Sequence, residues 1–250
     1  MENNEIIDEN TSVNNEETKA LDKKEAISNK DRIKYAIIAL SYFVAILLSH
    51  IGVILKPFYK RVYYGQANGH FKYGFGLLFL VIFACIIQFV IKKKLNITYK
   101  KDTTPLTWKR AGLVFGITFV MIFIISACSS FQLKPFYDVG NNTTAYKVGV
   151  YATTLAYHTV CVFFAVHMIE NFQYALDDII PFKNENVRKY IPYGGIATML
   201  TYGIYSLCMG LGGNISVLYF FLILLYGEIY LLTNRSILKT CASAGLIFVL

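Results

Sequence analysis

Apolar residues in this chain gather in long runs separated by short polar stretches, and the pattern of those runs predicts the elements. The runs cover about Tyr35–Leu55, Tyr73–Ile91, Ala111–Ala127, Val148–Ile169, Ile191–Leu211, Ile215–Leu232 and Ser236–Leu250. Most are close to the length of about 20 residues that a helix rising 1.5 Å per residue needs to cross about 30 Å of hydrocarbon. The pattern predicts an all-α, polytopic membrane protein with about seven transmembrane helices. The seventh run is short and ends at Leu250 while still apolar. It reads as a half-inserted helix supported by its neighbours, or as a run cut short. Residues 1–33 carry no such run and read as a disordered cytoplasmic tail, since a stretch rich in Asn and Glu buries too little surface to offset its ordering entropy. Residues 34–250 form the helical domain, and the polar start of the chain has no signal-peptide pattern.

Composition agrees with that division. Hydrophobic residues make up 55% of the 250 and charged residues only 16%, too few for a soluble domain of this length. The net charge of +8 is split: residues 1–34 hold nine acids and six bases, the remainder seven acids and eighteen bases. Those bases lie between the runs, where anionic headgroups and the positive-inside rule account for them. They form no stripe interleaved with polar and aromatic residues, which argues against a nucleic-acid partner. With the N-terminus inside, the inner segments hold Lys30, Arg32 and Lys34, seven bases over 92–110, then Lys183, Arg188, Lys189 and Arg235. The outer loops hold fewer, so the expected site is the cell membrane, with the N-terminus cytoplasmic and the C-terminus outside. The Asn-x-Thr/Ser triplets at Asn141 and Asn214 would then face outward. Cys85, Cys128, Cys161, Cys208 and Cys241 sit singly within apolar runs and read as small hydrophobes, without a disulfide or zinc pattern. Gly112 and Gly116 have the small-xxx-small spacing that lets helices approach closely, and the reading there is packing.

Ionisable groups at membrane depth are costly and mark candidate chemistry. The candidates are His158 and His167 in the fourth run, Glu170 at its end, and Glu228 in the sixth; His50 and His70 lie near run ends and read as interfacial. His167 and Glu170, three apart, share a helix face. His158 lies about 180° around the helix from His167, so the two histidines cannot share a metal.

The segment Ile169-Glu170-Asn171-Phe172-Gln173-Tyr174-Ala175-Leu176 resembles the Glu-Glu-x-x-x-Arg-Gly motif of the CPBP family, the CAAX-protease and bacteriocin-processing intramembrane proteases. Leu200 to Ser206 is similar to that family's Phe-x-x-x-His segment, and Gly227 to Leu238 to its Gly-x-x-x-Tyr-x-x-Thr-x-Ser-Leu segment before a last histidine. The resemblance covers residues 150–250 and implies a CPBP-like arrangement of the back four helices. It also implies a glutamate that activates water and histidines that bind metal or steady the oxyanion. Glu170 alone matches: the second glutamate is Asn171, the arginine is Ala175, and the histidines fall on Ser206 and on Ser243 or Ala244. A carboxylate without metal ligands or a positioned electrophile cannot activate water against a peptide. The expectation is a CPBP-like protein with lost catalytic residues that binds or scaffolds within the bilayer, with another membrane or cell-envelope protein as partner. It carries no cofactor and no metal on this reading. Two alternatives remain: an active metalloprotease with a rearranged site of His167, Glu170 and Glu228 around zinc or another divalent cation, and a small transporter or channel component with His158 and Glu228 lining a polar path.

Overall fold

The computed structural model describes residues 27–50, 68–97, 99, 105–128, 144–177, 179, 190–208 and 216–249. Among them there is no strand. Helix α1 is Asn29–Ser49 and α2 begins as Asn68–Cys85, passes through π-helical turns at Ile86–Ile91 and ends as Lys92–Leu95. Helix α3 is Trp108–Cys128 and α4 is Thr144–Leu176. Helix α5 runs as Tyr193–Thr198, a π-helical stretch at Met199–Gly203, and Ile204–Cys208; α6 is Ser216–Leu232 and α7 is Ile237–Val249. The described part of each apolar run therefore falls on a helix. Four spans are long and apolar enough to cross a membrane: Asn29–Ser49, Tyr73–Leu95, Trp108–Ala127 and Tyr151–Leu176. Phe220–Leu232 and Ile237–Leu246 are apolar but shorter.

Helix α1 starts six residues before the apolar run because Ser28 caps it. The Ser28 hydroxyl accepts from the Asp31 amide at 3.2 Å, satisfying one of the free amides of the first turn. Residues 29–33, grouped by sequence with the tail, are thus helical, while the reading of residues 1–26 as disordered lies outside the described residues.

Helix α4 is the hub. Its 33 residues span about 50 Å, longer than the hydrocarbon layer. Every residue from Phe164 to Ala175 is buried, which a helix achieves only when neighbours surround it. On one side, Tyr157, Cys161, Phe164 and Met168 pack with Ile38, Tyr42 and Ile46 of α1 and Leu80 and Ile87 of α2. On the other, Val162, Val166 and Ile169 pack with Met121 and Ile125 of α3, Leu222 and Ile229 of α6, and Ala244 of α7. So α3 packs with the later helices α6 and α7.

Glycine fixes the closest approaches. A Cβ at Gly194 would collide with the Ile169 carbonyl oxygen, and one at Gly195 would stand 2.9 Å from Gly227 Cα. Backbones of α4, α5 and α6 therefore meet where only glycine fits. Gly112 and Gly116 behave otherwise: nothing stands within 4 Å of a Cβ at either, so among the described residues no helix packs on that face of α3.

Side-chain contacts bring the beginnings of α1, α3, α5 and α7 together with the ends of α2, α4 and α6. Tyr35 stacks on Tyr174 at 5.0 Å, Arg110 donates to Asn234, and Arg110 also donates to the Tyr190 hydroxyl at 3.3 Å. Gln173 accepts from the Gly194 amide at 2.8 Å, and Arg235 donates to Asp177 at 2.9 Å. Successive helices alternate in direction. Lys30, Arg32, Lys34, Lys92, Lys93, Lys94, Lys109, Arg110 and Arg235 all belong to that one end.

Candidate functional site

The polar residues of α4 that the apolar run should exclude are concentrated in its last three turns: His167, Glu170, Asn171 and Gln173 are all buried. His167 Nδ1 lies 3.3 Å from a Glu170 carboxylate oxygen, as their spacing on one face predicts. The His167 ring lies flat against Tyr42 of α1, with centroids 5.0 Å apart and planes within 3°, and the edge of Phe163 closes it at 4.3 Å. Gln88, from the π-helical part of α2, donates to the Tyr42 hydroxyl at 3.1 Å.

The side-chain contact of Glu170 is with His167, and its charge extends electrostatically to Lys92, Tyr42, Tyr99, Tyr174 and Tyr230. The Lys92 ammonium stands 4.9 Å over the Tyr99 ring and 5.9 Å from the Tyr42 ring centroid, a cation–π arrangement that joins α2 to α1. The Tyr99 hydroxyl donates to Asn171 Oδ1 at 2.9 Å, and Asn171 Nδ2 donates to the His167 carbonyl at 2.7 Å. Burial, then the Glu170 charge, pushes the Tyr99 phenol above its ordinary value, so Tyr99 stays a donor at neutral pH. Burial alone would weaken the Arg235 charge, but the Asp177 carboxylate outweighs it and holds the guanidinium above its usual value. The Tyr230 hydroxyl is fully buried, with no hydrogen-bond partner among the described residues.

The family-like positions have other neighbours than a metal site needs. Asn171, at the second glutamate position, is held by Tyr99 and its own helix. Ala175 packs with Tyr35 and Tyr174. Ser206 is buried on α5, Ser243 is half-buried, and Ala244 is buried in the apolar cluster with Val166 and Ile169. Neither an alanine nor a serine at these positions supplies a strong zinc ligand. Among the described residues, no three of His, Cys, Asp and Glu are grouped to hold a metal ion. The family-like positions themselves, Asn171, Ala175, Ser206 and Ser243 or Ala244, do not supply the ligand set of a protease metal centre.

No family model, curated protein or solved structure matches the chain.

The remaining candidates lie apart. His158 packs its ring against Tyr73 and Tyr157, at 5.9 and 5.5 Å, on the α1–α2 side of the hub. Glu228 is half-buried on α6, one helical face with exposed Phe221 and Val217, and has no hydrogen-bond or ion-pair partner among the described residues. His167 and Glu170 meet each other, but Glu228 does not join them in a ligand set. His50, read from sequence as interfacial, is buried: Nδ1 is 2.9 Å from the Ile46 carbonyl oxygen and Nε2 is 3.2 Å from the Tyr157 hydroxyl, which also meets Ser49 at 3.1 Å. The reading of His70 lies outside the described side chains.

Sequence reasoning missed the tyrosines, Lys92, Gln173 and the Arg235–Asp177 pair. Two signals pointed to them. Tyr35 and Tyr42 are seven apart, on one face of α1, and the polar residues Asn171 and Gln173 follow Glu170 inside a helix that is otherwise apolar.

Proposed function

We propose that this chain is a seven-pass membrane protein with a cytoplasmic N-terminus and a CPBP-like arrangement of α4 to α7, acting by binding within the bilayer without peptide cleavage. The observation that carries this reading is the company Glu170 keeps. The one family-like catalytic position that survives pairs with His167, whose ring is stacked on Tyr42, and its neighbour Asn171 is held by Tyr99, a set suited to holding a structure together and unsuited to activating water on a metal. Alternating helix directions and the gathering of bases at one end support the topology, since basic ends stay cytoplasmic. The short α6 and α7 are accommodated by bilayer thinning or by packing against longer neighbours. The partner on this reading is another membrane or cell-envelope protein.

The test is a cleavage assay with the purified full-length chain, membrane-embedded peptide substrates and a panel of divalent cations. No cleavage is the expected result with any cation. Metal-dependent cleavage that disappears in Glu170→Ala would overturn the reading in favour of a rearranged protease site.

A further inference from the structure

An apolar groove of about 340 Å³ opens on the surface between α1 and α2. Its α1 wall is formed by Ile37, Leu40 and Val44, and its α2 wall by Phe83, Ile87 and Ile91. Ile87 is fully buried at its floor, while Ile37, Leu40 and Val44 are 44–47% exposed along the rim. The α2 wall is built partly from the π-helical stretch Ile86–Ile91, a conformation that displaces side chains from α-helical register and recurs at functional sites. Because α1 starts where α2 ends, the groove occupies the half of the bundle nearest the basic end. Both walls continue into lysines. On α1, Lys34 stands one turn before Ile37 and Lys30 two turns before it; on α2, Lys94 follows Ile91 by three residues. Lys30 and Lys94 are exposed, and Lys34 is bonded to Asp31 at 2.7 Å.

We propose that this groove is a site for one anionic phospholipid of the inner leaflet, with an acyl chain along the α1–α2 walls and the phosphate between Lys30, Lys34 and Lys94. The charge pattern selects the occupant. Lys30 and Lys34 fall on the same α1 face as Ile37 and Val44, and Lys94 continues the Ile87–Ile91 face of α2, so the cations continue the two groove walls, and a transmembrane helix of another protein would bring no phosphate to meet them. Basic residues at the inner mouth of an interhelical crevice match the headgroup chemistry of anionic lipids. The inference rests on the membrane-spanning reading and is independent of whether the chain cleaves peptides.

The experiment is native mass spectrometry of the full-length chain released from mixed micelles with equal phosphatidylglycerol and phosphatidylcholine. The wild-type chain is expected to retain one phosphatidylglycerol through activation that strips other lipids. Each of Lys30→Gln, Lys34→Gln and Lys94→Gln is expected to lower the preference over phosphatidylcholine by about fivefold, the equivalent of about 1 kcal/mol per cation. Val44→Trp, which fills the groove, is expected to abolish retention of either lipid. Lys109→Gln and Lys239→Gln, which remove exposed charges elsewhere, should leave retention unchanged. Equal retention of both lipids by the wild type would overturn the proposal, as would equal losses in the control variants. A lipid-free dimer as the retained species would overturn it in favour of a second copy on the groove. Circular dichroism of each variant separates loss of the site from loss of the fold. Recovery of the wild-type chain in the aqueous phase of a detergent partition would instead defeat the membrane-spanning reading itself.

Discussion

At the scale of single residues, the candidate site is governed by what surrounds its charges. Asp177 is buried and its Arg235 partner is only partly exposed, so removing the guanidinium leaves a carboxylate poorly solvated. Arg235→Ala is expected to destabilise the bundle by about 2 kcal/mol, read as a lowered midpoint in denaturant titration. The double variant Arg235→Ala/Asp177→Ala is expected to recover part of that loss, because no unpaired charge remains. Asn171 offers a cleaner probe of the Tyr99 contact. Tyr99→Phe removes one donor and leaves Asn171 Oδ1 without it, an expected loss of about 1 kcal/mol with helix content unchanged. If Tyr99→Phe is neutral, the Glu170 surroundings are looser than the hydrogen bonds imply.

At the scale of helices, glycines discriminate packed faces from open ones. Gly195→Ala drives a methyl group into the Gly227 backbone, and the expected cost is about 1–3 kcal/mol. Gly116→Ala on α3 meets nothing, and the expected change is neutral to stabilising by up to about 1 kcal/mol from helix propensity. Thermal unfolding in detergent compares the two directly. The contrast also marks what could be read from the sequence. The existence of the helices was legible because apolar runs of about 20 residues have few alternatives. Which glycines pack was not, since Gly112 and Gly116 carry the expected spacing and stand open, whereas Gly195 and Gly227 meet across 32 positions of sequence. The His167–Glu170 contact was legible from spacing on one helix. The stacking of Tyr42 on His167 was not, because it depends on how α1 leans on α4. The end of α6 lies between these cases. Asn234 and Arg235 both take left-handed backbone, with φ of 57°, and the Arg235 amide reaches back to the Tyr230 carbonyl oxygen at 2.8 Å. Asparagine at such a terminus is a common helix stop, but arginine is not, and it is held there by Asp177.

At the scale of the molecule, alternating helix directions and the basic end make the proposed topology testable. Cysteine substitutions near the two chain ends, probed in intact cells with a membrane-impermeant maleimide, are expected to label only the C-terminal position. Labelling of the N-terminal position would reverse the orientation. The hub arrangement adds a second expectation. Disturbing α4 at Ala165, which is 2% exposed, should unfold both packing clusters together, so Ala165→Leu is expected to lower stability by more than the same change at the exposed Ala242 of α7.

Helix α4 is also the middle of the chain, and a chain emerges from the ribosome in order. When α4 is made, α1 to α3 already exist: α1 carries the Tyr42 that covers His167, the segment after α2 carries the Tyr99 that meets Asn171, and α3 carries Met121 and Ile125. Gln173 and Asp177 must wait for Gly194 and Arg235, which are synthesised later. The nascent helix is therefore half-dressed: one flank finds its neighbours at once, while the other exposes polar groups until α5 to α7 arrive. A ribosome paused between α4 and α5 would leave that unfinished flank to lipid or to a chaperone, and the chain's vulnerability to misassembly is concentrated in that interval.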